Sequence, residues 1–206
     1  MIKKFPNKKY QIIYADPPWN TGYVYGGKKA GTVGGGKIVP YNVMTDNEIM
    51  NLPIDIIADN NCFLFLWVID SRIPQVEKIM NSWGFKYSGT SFIWNKRSIN
   101  NPELVRTTLT PYTRRSCEIC FLGTKGKTLK MLNDRYVLQF VNEPIPDRRI
   151  HSSKPNEVRN RIVRLCGDLP RIELFARHKA KGWDAWGNEE LEEAYIQESL
   201  EVKVIK

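Results

Sequence analysis

Long apolar runs are missing from this chain of 206 residues. The longest one, from Cys62 to Ile69, falls well short of the roughly 20 residues that a membrane-spanning helix needs. No apolar segment of the signal-peptide type follows Met1, and internal repeats are absent. We therefore expect a single domain over residues 1–206 that has no membrane partner and resides in the cytoplasm.

Cysteine and histidine are scarce, with four and two residues respectively. Cys117 and Cys120 have CxxC spacing, but no second pair completes the four ligands that a zinc site requires. The segment around them has the pattern of a strand, which would place the two thiols on opposite faces. We therefore predict no metal site, and free, mostly buried thiols in a reducing compartment.

Acidic residues are fewer than basic ones, 22 against 31, which gives a formal net charge of +9. From Lys96 to Lys154 the sequence has 12 Lys or Arg and 5 Asp or Glu, a net charge of +7, whereas the segment from Glu189 to Glu201 has six acids and no base. A basic middle with an acidic tail indicates a polyanionic partner such as nucleic acid. The alternative is a basic protein without such a partner.

Strand-like apolar segments alternate with helical ones along the chain. Residues 62–68 are apolar throughout, as expected for a strand covered on both faces. Further strand candidates lie at residues 10–16, 85–95, 116–123, 135–141 and 171–176. Apolar spacing and end signals predict helices at about residues 45–53, 73–83 and 155–166. This alternation predicts an α/β fold, a Rossmann-like sheet with helices on both faces.

Two segments are predicted to be flexible loops. Residues 20–40 include seven glycines, and residues 142–153 include Arg148 and Arg149. Long loops in compact domains are often functional lids. The Gly-rich segment lacks the GxxxxGK[ST] pattern, which argues against a nucleotide P-loop. An acidic surface helix is predicted at about residues 189–200.

The run Asp16-Pro17-Pro18-Trp19 directly follows the first strand candidate. Proline has no N–H and a fixed φ, so the two prolines favour a stiff turn whose carbonyl groups remain as acceptors without neighbouring donors. An ionised Asp16 is also purely an acceptor. Such a site complements the two N–H groups of the adenine amine, and Trp19, Tyr23 or Tyr25 can stack on the ring. The alternative is an ordinary strand-to-loop turn, in which Asp and Pro are common.

Three further clusters place polar residues beside predicted elements. They are Ser153–Glu157, Glu173–His178 and Trp183–Glu189. Lys or Arg side chains suit the carboxylate of a sulfonium cofactor, and Asn or Glu side chains suit its ribose hydroxyls. For each cluster a structural role is the alternative: Lys154 as a solvated residue at a helix start, Arg177 paired with Asp184, and Trp183 and Trp186 in the core.

Together these motifs resemble the DPPW-type (beta-class) adenine-N6 methyltransferase family, whose eukaryotic branch includes the catalytic subunit of the messenger RNA adenosine methyltransferase. The resemblance extends from about Tyr10 to Leu191 and points to a bacterial or phage-type member. Its landmarks occur in family order. They are Ala15–Trp19, Tyr41, Thr45–Glu48, Phe63–Val68, Trp83-Gly84, Ile93-Trp94, Glu118, Ser153–Glu157, Glu173–Arg177 and Trp186–Glu189.

The resemblance implies S-adenosylmethionine as the methyl donor and the run from Asp16 to Trp19, with Pro17 and Pro18, as the catalytic motif. In this family the Asp and the first Pro carbonyl hold the target amine, which carries over to Asp16 and Pro17. The Asp also lies near the methionine amino group of the cofactor. The family's lysine in the KP motif, here Lys154, contacts the cofactor carboxylate or the substrate side.

The resemblance also implies contacts for the rest of the cofactor and for the substrate. Arg177, Asn188 and Glu189 correspond to residues that bind the adenosine and its ribose. Tyr41 and Glu118 match positions near the target base, and Trp19 and Tyr41 are candidates to stack on it. Phosphates are expected to bind to basic loops that contain Arg114, Arg115, Arg148 and Arg149.

The resulting expectation is an enzyme that transfers a methyl group from S-adenosylmethionine to the N6 amine of adenine in nucleic acid, with DNA favoured over RNA. One alternative is the same reaction on RNA. Another is a non-catalytic nucleic-acid-binding subunit of a methyltransferase complex. Members of the family often pair, so a homodimer or a related subunit is a further implied partner.

Overall fold

The structure is a computed structural model that describes residues 4–20, 32–33, 37–38, 42–110, 112–146 and 153–187. In chain order its strands are β1 (Tyr10–Ala15), β2 (Thr32–Val33), β3 (Lys37–Ile38), β4 (Ala58–Val68), β5 (Lys86–Arg97), β6 (Thr108–Leu109), β7 (Arg114–Arg115), β8 (Cys117–Lys125), β9 (Phe140–Pro144), β10 (Arg171–Leu174) and β11 (Asp184–Trp186). Its α-helices are α1 (Asp46–Met50), α2 (Val76–Ser82) and α3 (Asn156–Cys166), and 3-10 helices span Ile54–Ile56, Asp70–Gln75 and Thr128–Met131. Most of the predicted loop at 20–40, residues 147–152 of the second loop and the predicted helix at 189–200 lie outside the described residues.

Seven of these strands form one mixed sheet in the order β11-β10-β1-β4-β8-β5-β9. Strand β8 runs antiparallel to β4 and β5, and the other pairings are parallel. The carboxyl ends of the parallel strands therefore share one edge with the amino end of β8. We call this edge the carboxyl edge; ligands of open α/β sheets bind beyond it.

The sheet is covered on both faces, as the sequence predicts. Along β4, alternate side chains enter two separate hydrophobic clusters, because successive residues of a strand point to opposite faces. Leu64 packs in the cluster that contains Ile79 of α2, and Phe65 packs in the cluster that contains Ile162 of α3. The α/β fold with helices on both faces is confirmed.

The strand predicted at residues 135–141 is wrong at both ends, because the observed strand β9 spans Phe140–Pro144. Residues 135 and 136 form a turn instead, in which the Tyr136 N–H donates to the Asp134 side chain (2.8 Å). Pairing with β5 begins at Phe140, opposite Ile93. Residues 142–144, assigned to a flexible loop by the sequence pattern, therefore belong to an edge strand.

The helix predicted at residues 73–83 is divided into two parts. A 3-10 helix, Asp70–Gln75, contains Pro74, and α2 begins only at Val76 because proline has no N–H for an α-helical bond. Helix α1 begins as predicted, with Thr45 and Glu48 forming a capping box. In the described parts of the chain, no helix has both the length and the hydropathy needed to span a bilayer.

The four cysteines are free thiols. Cys62, Cys120 and Cys166 are buried, and Cys117 is half-buried at the start of β8. Burial raises the pKa of the Cys120 thiol to about 12, so this group stays protonated at neutral pH. The prediction of free, mostly buried thiols is confirmed.

Candidate active site

Asp16 lies at the carboxyl edge, one residue beyond β1. Strand β1 is central in the sheet, and its last residue, Ala15, is in register with Leu66 of β4 and Leu174 of β10. Two parallel neighbours thus fix the position at which the chain leaves the sheet. This placement holds the Asp16 carboxylate at the edge where ligands of such sheets bind.

The carbonyl groups of the two prolines differ from the sequence expectation, because both have backbone donors. The Trp19 N–H donates to the Pro17 oxygen (2.8 Å), and the Met44 N–H donates to the Pro18 oxygen (2.8 Å). These bonds fix the turn against the segment that leads into α1. Since a carbonyl oxygen has two lone pairs, the Pro17 oxygen can still accept a second hydrogen bond.

Trp19 lies in the hydrophobic core and is only 6% exposed. Its indole N–H donates to the Trp67 carbonyl oxygen (3.1 Å), which ties the turn to the end of β4. This position differs from the one expected of a ring that stacks on a base. In the structure Trp19 positions the turn that carries Asp16.

Lys154 joins two carboxylates at the carboxyl edge. Its Nζ donates to Asp16 Oδ2 at 2.5 Å and lies 3.2 Å from Glu118 Oε2. Lys96, near the end of β5, forms an ion pair with the other oxygen of Glu118. Lys154 is 7% exposed, so the alternative of a solvated residue at a helix start is wrong.

Burial and ion pairing have opposite effects on the pKa values of Asp16, Glu118 and Lys154. Burial raises the pKa of Asp16, and the charge of Lys154 offsets only part of that effect. Burial also acts to raise the pKa of Glu118, but the ion pairs with Lys154 and Lys96 prevail and lower this pKa to about 2. Despite its burial, Lys154 has a raised pKa because it faces both carboxylates. Asp16 is therefore the member of the cluster whose charge is most easily lost as the pH falls.

Strand β10 ends in a strained turn at the carboxyl edge. Phe175 has a φ of 59°, in the left-handed region that bulky residues rarely adopt, and this ends the strand two residues before the sequence predicts. The next residue, Ala176, donates its N–H to the Trp186 oxygen of β11 (3.2 Å). Arg177 follows, and its positive charge acts to lower the pKa of Asp16, so the two side chains belong to one electrostatic cluster.

The alternatives for residues 177–186 have different outcomes. Trp183 and Trp186 are buried in the two hydrophobic clusters, which confirms their core role. Asp184, considered as a partner for Arg177, accepts hydrogen bonds from Lys8 (2.8 Å) and from the Tyr10 hydroxyl (2.7 Å).

The charges at the carboxyl edge suit the methionine end of S-adenosylmethionine, which carries an ammonium and a carboxylate group. Asp16 is an acceptor that can hold the ammonium group. Lys154 and Arg177 supply positive charge beside Asp16 that can attract the carboxylate group. The side chains present therefore fit the cofactor that the sequence resemblance implies.

A second set of residues, to which the sequence assigned no role in the site, lies beneath Lys154. The Lys154 ammonium lies 5.4 Å from the centre of the Trp67 ring, and the Trp67 indole N–H donates to the Tyr14 hydroxyl (2.7 Å). The guanidinium group of Arg159 lies 5.7 Å from the centre of the Tyr14 ring and forms two hydrogen bonds to Glu173, of 2.6 and 2.7 Å. One signal was available: Arg159 is a charged residue beside the apolar face of a predicted helix, and Glu173 lies within an apolar strand.

The predicted phosphate-binding residues have different surroundings. Arg114 and Arg115 form β7, where Arg114 is exposed and Arg115 forms an ion pair with Asp70 (2.6 Å). Asp70 follows the carboxyl end of β4, so this pair holds β7 near the cluster of Asp16, Lys154 and Glu118. The other predicted site residues lie outside the described residues. They are Tyr41, Arg148, Arg149, Asn188 and Glu189.

The sequence profile of the MT-A70 family matches residues 10–189, a range that includes Asp16, Lys154, Glu118 and Arg177. The chain belongs to the MT-A70 family. This MT-A70 protein is 32% identical over 204 residues to the type II methyltransferase M.MunI of Mycoplasma sp, a match that covers 92% of this chain and 81% of M.MunI.

Two human proteins match this chain over a smaller part of their own length than M.MunI does. The N(6)-adenosine-methyltransferase catalytic subunit METTL3 is 28% identical over 184 residues, which cover 88% of this chain and 28% of METTL3. The N(6)-adenine-specific methyltransferase METTL4 is 27% identical over 210 residues, which cover 95% of this chain and 40% of METTL4. The MT-A70 protein therefore corresponds to only a part of each of these relatives.

Family membership confirms several sequence predictions. The MT-A70 protein is an enzyme of the adenine-N6 methyltransferase class, and its methyl donor is S-adenosylmethionine. Its homologues act on nucleic-acid substrates. The roles of the individual residues stay predictions.

Proposed function

We propose that this MT-A70 protein methylates adenine N6 in DNA, and that Asp16 and Pro17 hold the target amine. The observation that carries the assignment of these residues is the Asp16 carboxylate at the end of β1, adjacent to the Pro17 carbonyl and fixed by Lys154 at 2.5 Å. S-adenosylmethionine would supply an electrophilic methyl group to the amine nitrogen: the N6–CH3 bond would form as the S–CH3 bond breaks, a neutral thioether would leave, and the excess proton on N6 would pass to solvent.

The adenine amine is a poor nucleophile because its lone pair is delocalised into the ring. Lys154 binds Oδ2 of Asp16, which leaves Oδ1 to accept one N–H of the amine, while the Pro17 oxygen accepts the other. Holding both hydrogens favours a pyramidal nitrogen, and the negative charge of Asp16 offsets the positive charge that develops on it. The fixed turn also positions the nitrogen for attack.

The choice of DNA is supported by the match to the DNA methyltransferase M.MunI, which covers most of both sequences. To test whether DNA is the substrate, the protein is incubated with labelled S-adenosylmethionine and either a DNA pool or an RNA pool. We expect labelled N6-methyladenine in DNA. Label in RNA alone would favour the RNA alternative. Label in neither pool, together with no heat of binding on titration with S-adenosylmethionine, would favour the non-catalytic subunit.

We expect the pH profile of methyl transfer to depend on Lys154. The reaction requires ionised Asp16, whose pKa burial raises and Lys154 acts to lower, so activity falls as the pH drops through this pKa. Replacement Lys154→Met removes the lowering effect and should shift the acidic limb of kcat/KM to higher pH. Lys154→Arg keeps a cation and should shift it less. An acidic limb that is unchanged in Lys154→Met would contradict this role.

The implied protein partner, a second copy or a related subunit, stays a prediction. It is supported by the exposed apolar residues Leu138 and Phe140 at the edge strand β9. Light scattering of the purified protein would give its mass in solution.

A further inference from the structure

A β-structured extension projects from the sheet between β5 and β8. It comprises residues 97–110 and 112–116, and we call it the β6–β7 arm. Backbone hydrogen bonds order its base: the Lys96 N–H donates to the Ser116 oxygen (2.9 Å) and the Arg106 N–H donates to the Lys96 oxygen (2.8 Å). Its outer part is the antiparallel pair β6 and β7. Backbone hydrogen bonds therefore hold the described residues of the arm both at its base and in its outer part.

Both ends of the arm lie beside the residues that carry the proposed reaction. The first end follows Lys96, which is paired with Glu118, and the second end leads through Ser116 into β8. The ion pair between Arg115 and Asp70 fixes the arm to the carboxyl edge a second time. A nucleic acid that delivers adenine to Asp16 must therefore pass close to the arm.

The arm combines positive charge with exposed apolar side chains. From Arg97 to Ser116 the sequence has four Arg and one Glu, a net charge of +3. Near the outer end Tyr112 is 97% exposed and Leu109 is 77% exposed. Cations attract phosphates, and an exposed aromatic ring offers a face on which a base can stack. This combination favours a nucleic-acid strand over an apolar protein surface as the occupant.

We propose that the β6–β7 arm is a duplex-engaging element in which Tyr112 stacks on the base next to the target adenine and thereby stabilises extrusion of that adenine from the helix. The proposal rests on the proposed function, because it assumes that the adenine comes from a nucleic-acid duplex. An enzyme that acts on a paired base must move this base out of the stack, at a cost of a few kcal/mol. A stacked aromatic ring can offset part of that cost. Single-stranded substrate has no duplex to open, so it needs the ring less.

The test compares duplex and single-stranded forms of one oligonucleotide pool with a randomised core that contains adenine. We expect Tyr112→Ala to lower kcat/KM for the duplex about tenfold or more and to change the value for the single strand by less than about threefold. Tyr112→Trp should restore duplex activity because it restores a stacking face. The matched control is Tyr136→Ala. Tyr136 is 89% exposed, but it precedes the amino end of β9 and so lies on the side of the sheet opposite the carboxyl edge.

Each result bears on one proposal. If the wild-type protein methylates neither form, the proposed function fails. If it methylates the duplex and Tyr112→Ala does so equally well, only the role of Tyr112 is overturned. An equal loss on both forms also overturns this role, because extrusion would not then be the step affected.

Discussion

Replacement of Asp16 by alanine is expected to lower methyl transfer by about a thousandfold or more while the protein stays folded. The substitution removes the acceptor that holds the amine and the negative charge that offsets the charge developing on N6. The fold should persist because Lys154 keeps its second partner, Glu118, and so no buried cation is left unpaired. Transfer of labelled methyl groups at saturating S-adenosylmethionine measures the loss, and thermal unfolding checks the fold.

One further variant separates charge from shape at this position, and a second, elsewhere on the surface, serves as a control. Asp16→Asn loses the charge, and its one acceptor oxygen will accept from the Lys154 ammonium, so its NH2 group faces the target amine and we expect a loss close to that of alanine. Asp168→Ala removes a carboxylate whose side chain is 86% exposed and should leave activity unchanged. Near-normal transfer by Asp16→Ala would exclude Asp16 as the group that holds the amine.

The central part of the fold can be predicted from the sequence because burial on both faces has a strong pattern. A strand such as β4, with side chains in two cores, must be apolar at nearly every position, and this pattern is visible in residues 62–68. Short elements lack such a pattern. Strands β6, β7 and β11 have two or three residues each, and their pairing depends on neighbours that are distant in sequence.

The site was predictable to the extent that its residues lie in local motifs. Asp16, Lys154, Glu118 and Arg177 were named from the sequence, and the structure brings them together. The contact of Trp19 with Trp67 joins residues 48 positions apart, so the motif alone did not reveal that Trp19 is buried. The donors to the two proline carbonyls were missed for the same reason, since one of them comes from Met44.

Replacement of Arg159 by methionine is expected to lower the free energy of unfolding by about 3 to 5 kcal/mol. The side chains of Arg159 and Glu173 are 5% and 9% exposed, so the variant leaves a buried carboxylate without its cation. Urea unfolding measures the change. A matched control lies on the same helix: Arg164 pairs with Asp134 but is 58% exposed, and Arg164→Met should cost at most about 1 kcal/mol. If the two variants lost similar amounts of unfolding free energy, burial would not be what makes the Arg159–Glu173 ion pair important for stability.

The double variant Arg159→Met, Glu173→Leu distinguishes stability from positioning. It leaves neither charge unpaired, so we expect it to regain most of the lost stability. It also removes the cation that packs on Tyr14, whose hydroxyl accepts the Trp67 indole N–H beneath Lys154. If the ion pair only stabilises the fold, the double variant will methylate at the wild-type rate. We expect instead a kcat reduced by about tenfold with KM little changed, because small displacements of Lys154 and Asp16 affect the reacting geometry more than binding.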